Sequence, residues 1–195
     1  MRSTVSSPLP RYVVFGEALT DMIQQQPGVW HAVPGGSCWN VARVGARLGV
    51  ATGYAGAVSE DIFGVELANE TRDAGLDMRF LQRSSRAPLL SMVASSNPPN
   101  YFFIGDDSAD LAFDPSKLPA GWRDAVELLH FGGISLARPP LAESLVGEAR
   151  AAKAAGKLIA FDPNFRTVMR APAYREVFMA LALIADFIKV SEEDL

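Results

Sequence analysis

Short runs of β-branched and aromatic residues recur along this chain with capped, amphipathic helical patterns between them, and few architectures accommodate such an alternation. RYVVFG (11–16), TGYAGAV (52–58), ELLHFGG (127–133), KLIAFDP (157–163) and DFIKVS (186–191) each read as a buried strand. Between them SCWNVARVGARLG (37–49) has Ser37 as a candidate N-cap and Gly49 past its end, and SEDIFGVELANETRDAG (59–75) starts at Ser59 and stops at Gly75. PPLAESLVGEARAAKAAG (139–156) opens on Pro and closes on Gly156, and a further helix runs from about Pro172 to Ile184. Strand, helix, strand repeated in this way predicts an α/β fold with a mostly parallel central sheet flanked by helices.

Two segments break the alternation. Residues 18–34 and 88–104 are strand-like runs interrupted by turn signals, Pro27-Gly28 and Asn97-Pro98-Pro99-Asn100. They read as antiparallel excursions beyond the carboxyl ends of the strands, where a ligand binds in an open α/β sheet, and so as a small β-sheet lid. The alternative is that they are edge strands of the main sheet.

Composition narrows the function classes. The 195 residues are 49% hydrophobic, with 18 basic against 22 acidic side chains and a net charge of −4. No Lys/Arg cluster recurs on one segment, so nucleic acid is not an expected partner. The most apolar stretch, 177–190, contains Asp186 and is shorter than the ~20 residues a bilayer requires. Cys38 is the single cysteine, which excludes an internal disulfide framework and suits a cytoplasmic setting. Residues 1–10 lack the apolar core of a signal peptide and read as a flexible tail before the first strand. There is no GxxxxGKS or GxxxxGKT, no GxGxxG at the first helix and no GxSxG elbow. His31 and His130 are too few for a histidine-rich metal site, and His130 sits within an apolar strand.

The remaining polar signals fall at strand ends. Gly35 and Gly36 precede a helix, leaving room for a ligand to approach the backbone, and Asn40 in its first turn offers both a carbonyl and an NH2. A plain glycine turn with Asn40 capping locally is the simpler alternative. Asp21 follows the first strand; its carboxylate accepts from two vicinal hydroxyls at once, or is a solvated turn residue. DPNFR (162–166) closes another strand and presents Arg166, a forked donor for hydroxyls or a carboxylate, or one half of a surface ion pair. KVSEED (189–194) places Lys189 and Ser191 where phosphates could sit and Asp194 where a hydrated Mg2+ could, unless it is simply an acidic helix start.

Together these residues resemble the PfkB (ribokinase-like) family of carbohydrate kinases. GGSCWNVARVGARLGVATGYAGAVSEDIFG at 35–64 is similar to the family's first signature. GEALTD (16–21), SADLA (108–112), LHFGGISL (129–136), FDPNFR (161–166) and IKVSEEDL (188–195) most resemble the bacterial and plant fructokinase branch. The resemblance implies a ribokinase-like domain over 11–195, with segments 18–34 and 88–104 as a lid that in relatives often also makes a homodimer contact. It implies that Asp21, Gly35, Gly36 and Asn40 grip sugar hydroxyls and that Arg166 contacts the sugar's far side. Lys189 and Ser191 fall on the nucleotide side, and Asp194 holds the place of the family's acidic residue associated with Mg2+. Ser191 stands where the ribokinase branch has Asn, as fructokinases commonly do. Tyr101-Phe102-Phe103-Ile104-Gly105 departs from the family's FxFYR, with Ile104 and Gly105 in place of Tyr and Arg.

The resemblance implies transfer of the ATP γ-phosphoryl group to a primary sugar hydroxyl, with fructose the expected substrate and ATP and Mg2+ the expected cofactors. A 2-keto-3-deoxygluconate kinase or another PfkB sugar kinase is the alternative within enzymes, and an inactive sugar-binding or dimerisation module the alternative outside them. The family's second signature, DTxGAGD, supplies an anion hole and the catalytic Asp, and nothing in the 195 residues matches it. The expectation is therefore a sugar-binding portion without the nucleotide-binding C-terminal part, its catalytic base beyond residue 195. Losing base and anion hole costs roughly 10⁴–10⁷ in rate, so this chain alone is expected to be nearly inert.

Overall fold

β1 (Tyr12–Phe15) is the axis of the molecule, because its alternating side chains feed two separate cores. In the computed structural model, which describes residues 7–96 and 99–194, Val13 and Phe15 join one apolar cluster and Val14 the other, all fully buried. The first six residues of the expected tail, the Asn97-Pro98 turn signal and Leu195 lie outside the described residues.

The chain continues through β2 (Leu19–Gln26), β3 (Val29–Gly35), α1 (Ser37–Arg47), β4 (Thr52–Ser59), α2 (Ile62–Asp73) and β5 (Leu81–Ser84). There follow β6 (Leu90–Ser96), β7 (Pro99–Ile104), a short α3 (Trp122–Ala125), β8 (Leu128–Gly132), α4 (Leu141–Ala154), β9 (Leu158–Asp162), α5 (Pro172–Ala182) and β10 (Phe187–Ile188). Six strands form one parallel sheet in the order β10-β9-β8-β1-β4-β5. Trp39 of α1 and Leu67 of α2 pack with Val14, Tyr54 and Val58 on one face. Trp122, Leu141, Leu145 and Leu181 of the other helices pack with Phe15, Leu129, Phe131 and Phe161 on the opposite face. The chain runs outward from β1 to β4 and β5, then returns to β8 on the other side. The crevice at the carboxyl ends of β1 and β8 is thus the topological switch point.

The two excursions form a sheet of their own, in the order β3-β2-β6-β7. β2 and β3 are an antiparallel hairpin turning at Pro27-Gly28, β6 and β7 are antiparallel, and β2 joins β6 in parallel. The lid is therefore separate from the main sheet, as the turn signals predict.

Several local expectations are corrected. The N-cap of α1 is Gly36 at φ 113°, not Ser37, whose hydroxyl turns to Glu17 instead of back to the helix amides. The helix expected from Ser59 begins at Ile62, because Ser59 is still in β4 and the Asp61 carboxylate accepts from the amides of Phe63 and Gly64 at 3.0 and 3.1 Å. β5 (LQRS) was not among the expected strands, being short, polar and at an edge. β10 is only two residues long. Part of the expected tail is held, since Arg79 donates to the carbonyls of Ser7 and Pro8 at 3.1 Å each.

Candidate functional site

Residues separated by most of the chain converge where the lid closes over the switch point. Glu17 and Leu19 come from the end of β1 and start of β2, Asp21 from β2, and Gly36, Ser37 and Asn40 from the start of α1. Ser91 and Phe103 come from β6 and β7, Ile134 from the turn after β8, and Asn164 and Arg166 from the segment after β9. They enclose a cavity of about 260 Å3.

The lid contributes one row of side chains. Asp21 pairs in register with Ser91, which pairs with Phe103, so the three stand side by side across β2, β6 and β7 on the face over the cavity. Burial pushes the Asp21 carboxyl up, while the Ser91 hydroxyl and the Arg166 charge pull it down. Gly35 does not line the cavity. A Cβ there would lie 2.3 Å from Asp21 Oδ2, so the glycine makes room for the carboxylate behind it. Gly36 is forced by close approach, because its Cβ would lie 2.5 Å from the Glu17 carbonyl oxygen.

Arg166 Nη1 donates to the carbonyls of Asn164 and Phe165 at 3.4 and 2.6 Å, which turns the guanidinium back into the cavity. Asn164 itself has φ 47°, a conformation that asparagine tolerates better than most residues and that ends β9 abruptly at the site. The cavity thus presents carboxylate acceptors, a carboxamide, a helix-start amide and a guanidinium, the donor and acceptor set that a polyol needs.

The candidates at 189–194 stand apart from this cavity. Lys189 Nζ lies 3.3 Å from Asp162 Oδ1. Asp194 Oδ1 accepts from the Phe165 amide at 2.6 Å, and its Oδ2 accepts from the Ser191 amide and hydroxyl at 2.5 and 2.7 Å. These bonds hold the carboxylate below its usual range despite its partial burial. Both oxygens thus help to fasten the chain, and no group of three or more His, Cys, Asp or Glu among the described residues could hold a metal ion.

Glu17, Leu19, Ser37, Ser91, Phe103, Ile134 and Asn164 also line the cavity, beyond the residues that the resemblance assigns to the sugar. Phe103, Ile134 and Arg166 also border a second cavity of about 840 Å3, along with Arg138 and Arg170. Arg138 is committed there to the buried Asp110, with Nη1 2.9 Å from Oδ2.

A family model described as pfkB family carbohydrate kinase matches residues 10–195. The chain is 34% identical to a probable chloroplastic fructokinase-6 of Arabidopsis thaliana, over 99% of this chain and 53% of that protein. It is 30% identical to a fructokinase of Escherichia coli, over 93% of this chain and 60% of that protein. The crystal structure of a fructokinase with bound ATP from Xylella fastidiosa superposes with a TM-score of 0.86 at 29% identity, covering 95% of this chain and 59% of that one. The chain therefore spans between about half and three-fifths of the length of these relatives.

Proposed function

The chain belongs to the pfkB family of carbohydrate kinases, and on that premise we propose that it recognises fructose in the cavity beneath the lid, as the sugar-binding portion of a kinase. The reaction proposed is transfer of the γ-phosphoryl group of ATP to a primary hydroxyl of the sugar. The observation that carries this reading is the meeting of Asp21, Gly36, Asn40 and Arg166 around one cavity at the switch point. Asp21 accepts from sugar hydroxyls, Asn40 donates and accepts, and Arg166 donates from the opposite wall. The lid strands exclude water, so these hydrogen bonds act in a low dielectric and fix which hydroxyl is presented. ATP as phosphoryl donor is supported by the ATP-bound relative, with Lys189 and Ser191 the residues on that side. A homodimer through the lid is part of the proposal, supported by the half-exposed Phe102 and Ile104 at its β7 edge.

Titration calorimetry of the 195-residue chain with fructose, glucose and ribose tests the reading. Fructose is expected to bind most tightly, and Asp21→Ala to weaken it by about 100-fold, since the site's remaining polar groups lose the acceptor they were arranged around. Equal affinity for all three sugars, or native affinity in the variant, overturns it. A second reading, 2-keto-3-deoxygluconate as substrate, is favoured by the adjoining cavity, where Arg166 and Arg170 stand to meet a sugar carboxylate. Including that sugar acid in the titration decides between them.

A further inference from the structure

One wall of the cavity is a carboxylate with no basic partner among the described residues. Glu17 is 2% exposed, and no ion pair among the described residues includes it. Its Oε1 accepts from the Ser37 amide at 3.0 Å and the Ser37 hydroxyl at 2.5 Å. Its Oε2 receives the Ser135 amide at 3.4 Å and hydroxyl at 3.3 Å. The Glu17 carbonyl accepts in turn from the Trp39 amide at 3.3 Å. The space is cut for this group, because a Cβ on Gly133, at φ 65°, would lie 2.3 and 2.4 Å from the two carboxylate oxygens. One buried side chain therefore ties the first turn of α1 to the turn after β8, and both of those segments line the cavity, through Gly36 and Asn40 on one side and Ile134 on the other.

We infer that Glu17 is a positioning residue for sugar recognition: through Ser37 and Ser135 it locks the start of α1 against the turn after β8, so that Gly36 and Asn40 meet the sugar in a preformed arrangement. The inference rests on the reading that the cavity takes a sugar. The amide and hydroxyl donors hold the carboxylate in place of a counter-ion, and helix starts favour such a charge. Burial nonetheless raises the Glu17 carboxyl, outweighing the hydrogen bonds that lower it, so burying its charged form works against stability. A residue present only to hold the fold together would lower stability on removal. Here the expected cost of removal falls on the geometry of the ligand site.

The test uses the 195-residue chain with Glu17→Gln, Ser135→Ala and the double variant. Fructose affinity is read by calorimetry, the urea unfolding midpoint at pH 7, and amide exchange of residues 36–40 by NMR. Glu17→Gln is expected to weaken fructose about tenfold and speed exchange at Ser37 without lowering the unfolding midpoint. Ser135→Ala is expected to weaken it about threefold, and the double variant to be no worse than Glu17→Gln alone, because both act through one link. Native affinity in Glu17→Gln, additive losses, or a loss of affinity that only follows a lowered midpoint each overturn the inference. Should Glu17→Gln not fold, Ser135→Ala decides through the same affinity and exchange measurements. Failure of the sugar reading is distinct, since the native chain then shows no fructose binding. In that event unchanged exchange at residues 36–40 in the variants overturns the positioning role, and faster exchange upholds the link.

Discussion

Asp110 and Arg138 show how much one buried charge can depend on one partner. The Asp110 side chain is 2% exposed and that of Arg138 13%, with 2.9 Å between Nη1 and Oδ2. Ser108 donates to the other carboxylate oxygen at 2.5 Å, and Arg138 Nη2 also reaches the Ser108 hydroxyl at 2.9 Å and the Gly105 carbonyl. Burial raises the Asp110 carboxyl, and the guanidinium is the largest influence holding it down. Asp110→Asn keeps the shape and removes the charge, leaving the largely buried guanidinium without its counter-ion. We expect it to lower the free energy of unfolding by about 3 kcal/mol, read as a reduced urea midpoint at unchanged slope. The pair joins the exit of β7 to the turn after β8, so it also sets where the lid returns to the main domain. The SADLA motif marks Asp110 in the sequence, but its partner lies 28 residues on, and only the folded chain shows that the two meet.

At the scale of elements, two glycines at the lid and the first helix have different reasons for being glycine. Gly28, at φ 81°, forms the tip of the β2–β3 hairpin and has nothing within 4 Å of where a Cβ would stand. Gly36, at φ 113°, lies against the Glu17 carbonyl and the Ala18 Cα, at 2.5 and 2.9 Å from that position. Gly28→Ala should therefore cost only backbone strain, about 1 kcal/mol, and leave affinity for the proposed sugar unchanged. Gly36→Ala adds a clash with backbone that cannot move aside, so α1 must retreat from the strand end. Its cost should exceed that of Gly28→Ala by at least about 2 kcal/mol in urea unfolding, with affinity for the proposed sugar lost in calorimetry. The elements themselves were largely legible. β1, β4 and β8 announce themselves through apolar runs buried on both faces, β9 through an apolar run with one face fully buried, and the lid through its Pro-Gly turn. β5 was not legible, because an edge strand with the sequence LQRS has no periodicity to show. The lining of the candidate cavity was legible where a residue closely follows a strand, as with Asp21 after β1 and Arg166 after β9, or opens a helix, as with Asn40. It was hidden where a role depends on register, as for Ser91 and Phe103, or on partners 20 and 118 positions away, as for Glu17.

For the whole molecule, pH dependence follows from how the central sheet buries its titratable groups. His130 lies in β8, is 8% exposed, and has its pKa lowered from 6.5 to about 4, chiefly by burial, with Asp162 acting the other way. Between pH 6.5 and 4 the unfolded chain binds a proton at this residue that the folded chain excludes, so its contribution to stability is full above pH 6.5 and declines as pH falls through that window. A displacement of that size corresponds to roughly 3 kcal/mol, complete once the folded imidazole is itself protonated. Glu17, Asp21 and Asp110 act in the opposite sense, since each is raised by burial and favours the folded state more as it gains its proton. A stability curve of the native chain alone mixes these contributions. His130→Leu removes only the imidazole, keeps an apolar side chain of similar volume in the strand, and leaves the three carboxylates as they are. The difference between native and variant unfolding free energies, measured in urea from pH 7.5 to 4, should therefore shift by about 3 kcal/mol in the variant's favour as pH falls, with most of the change between pH 6.5 and 4.5. Parallel curves would mean that His130 protonates as readily in the folded sheet as in the unfolded chain, and that the core beside β8 admits water.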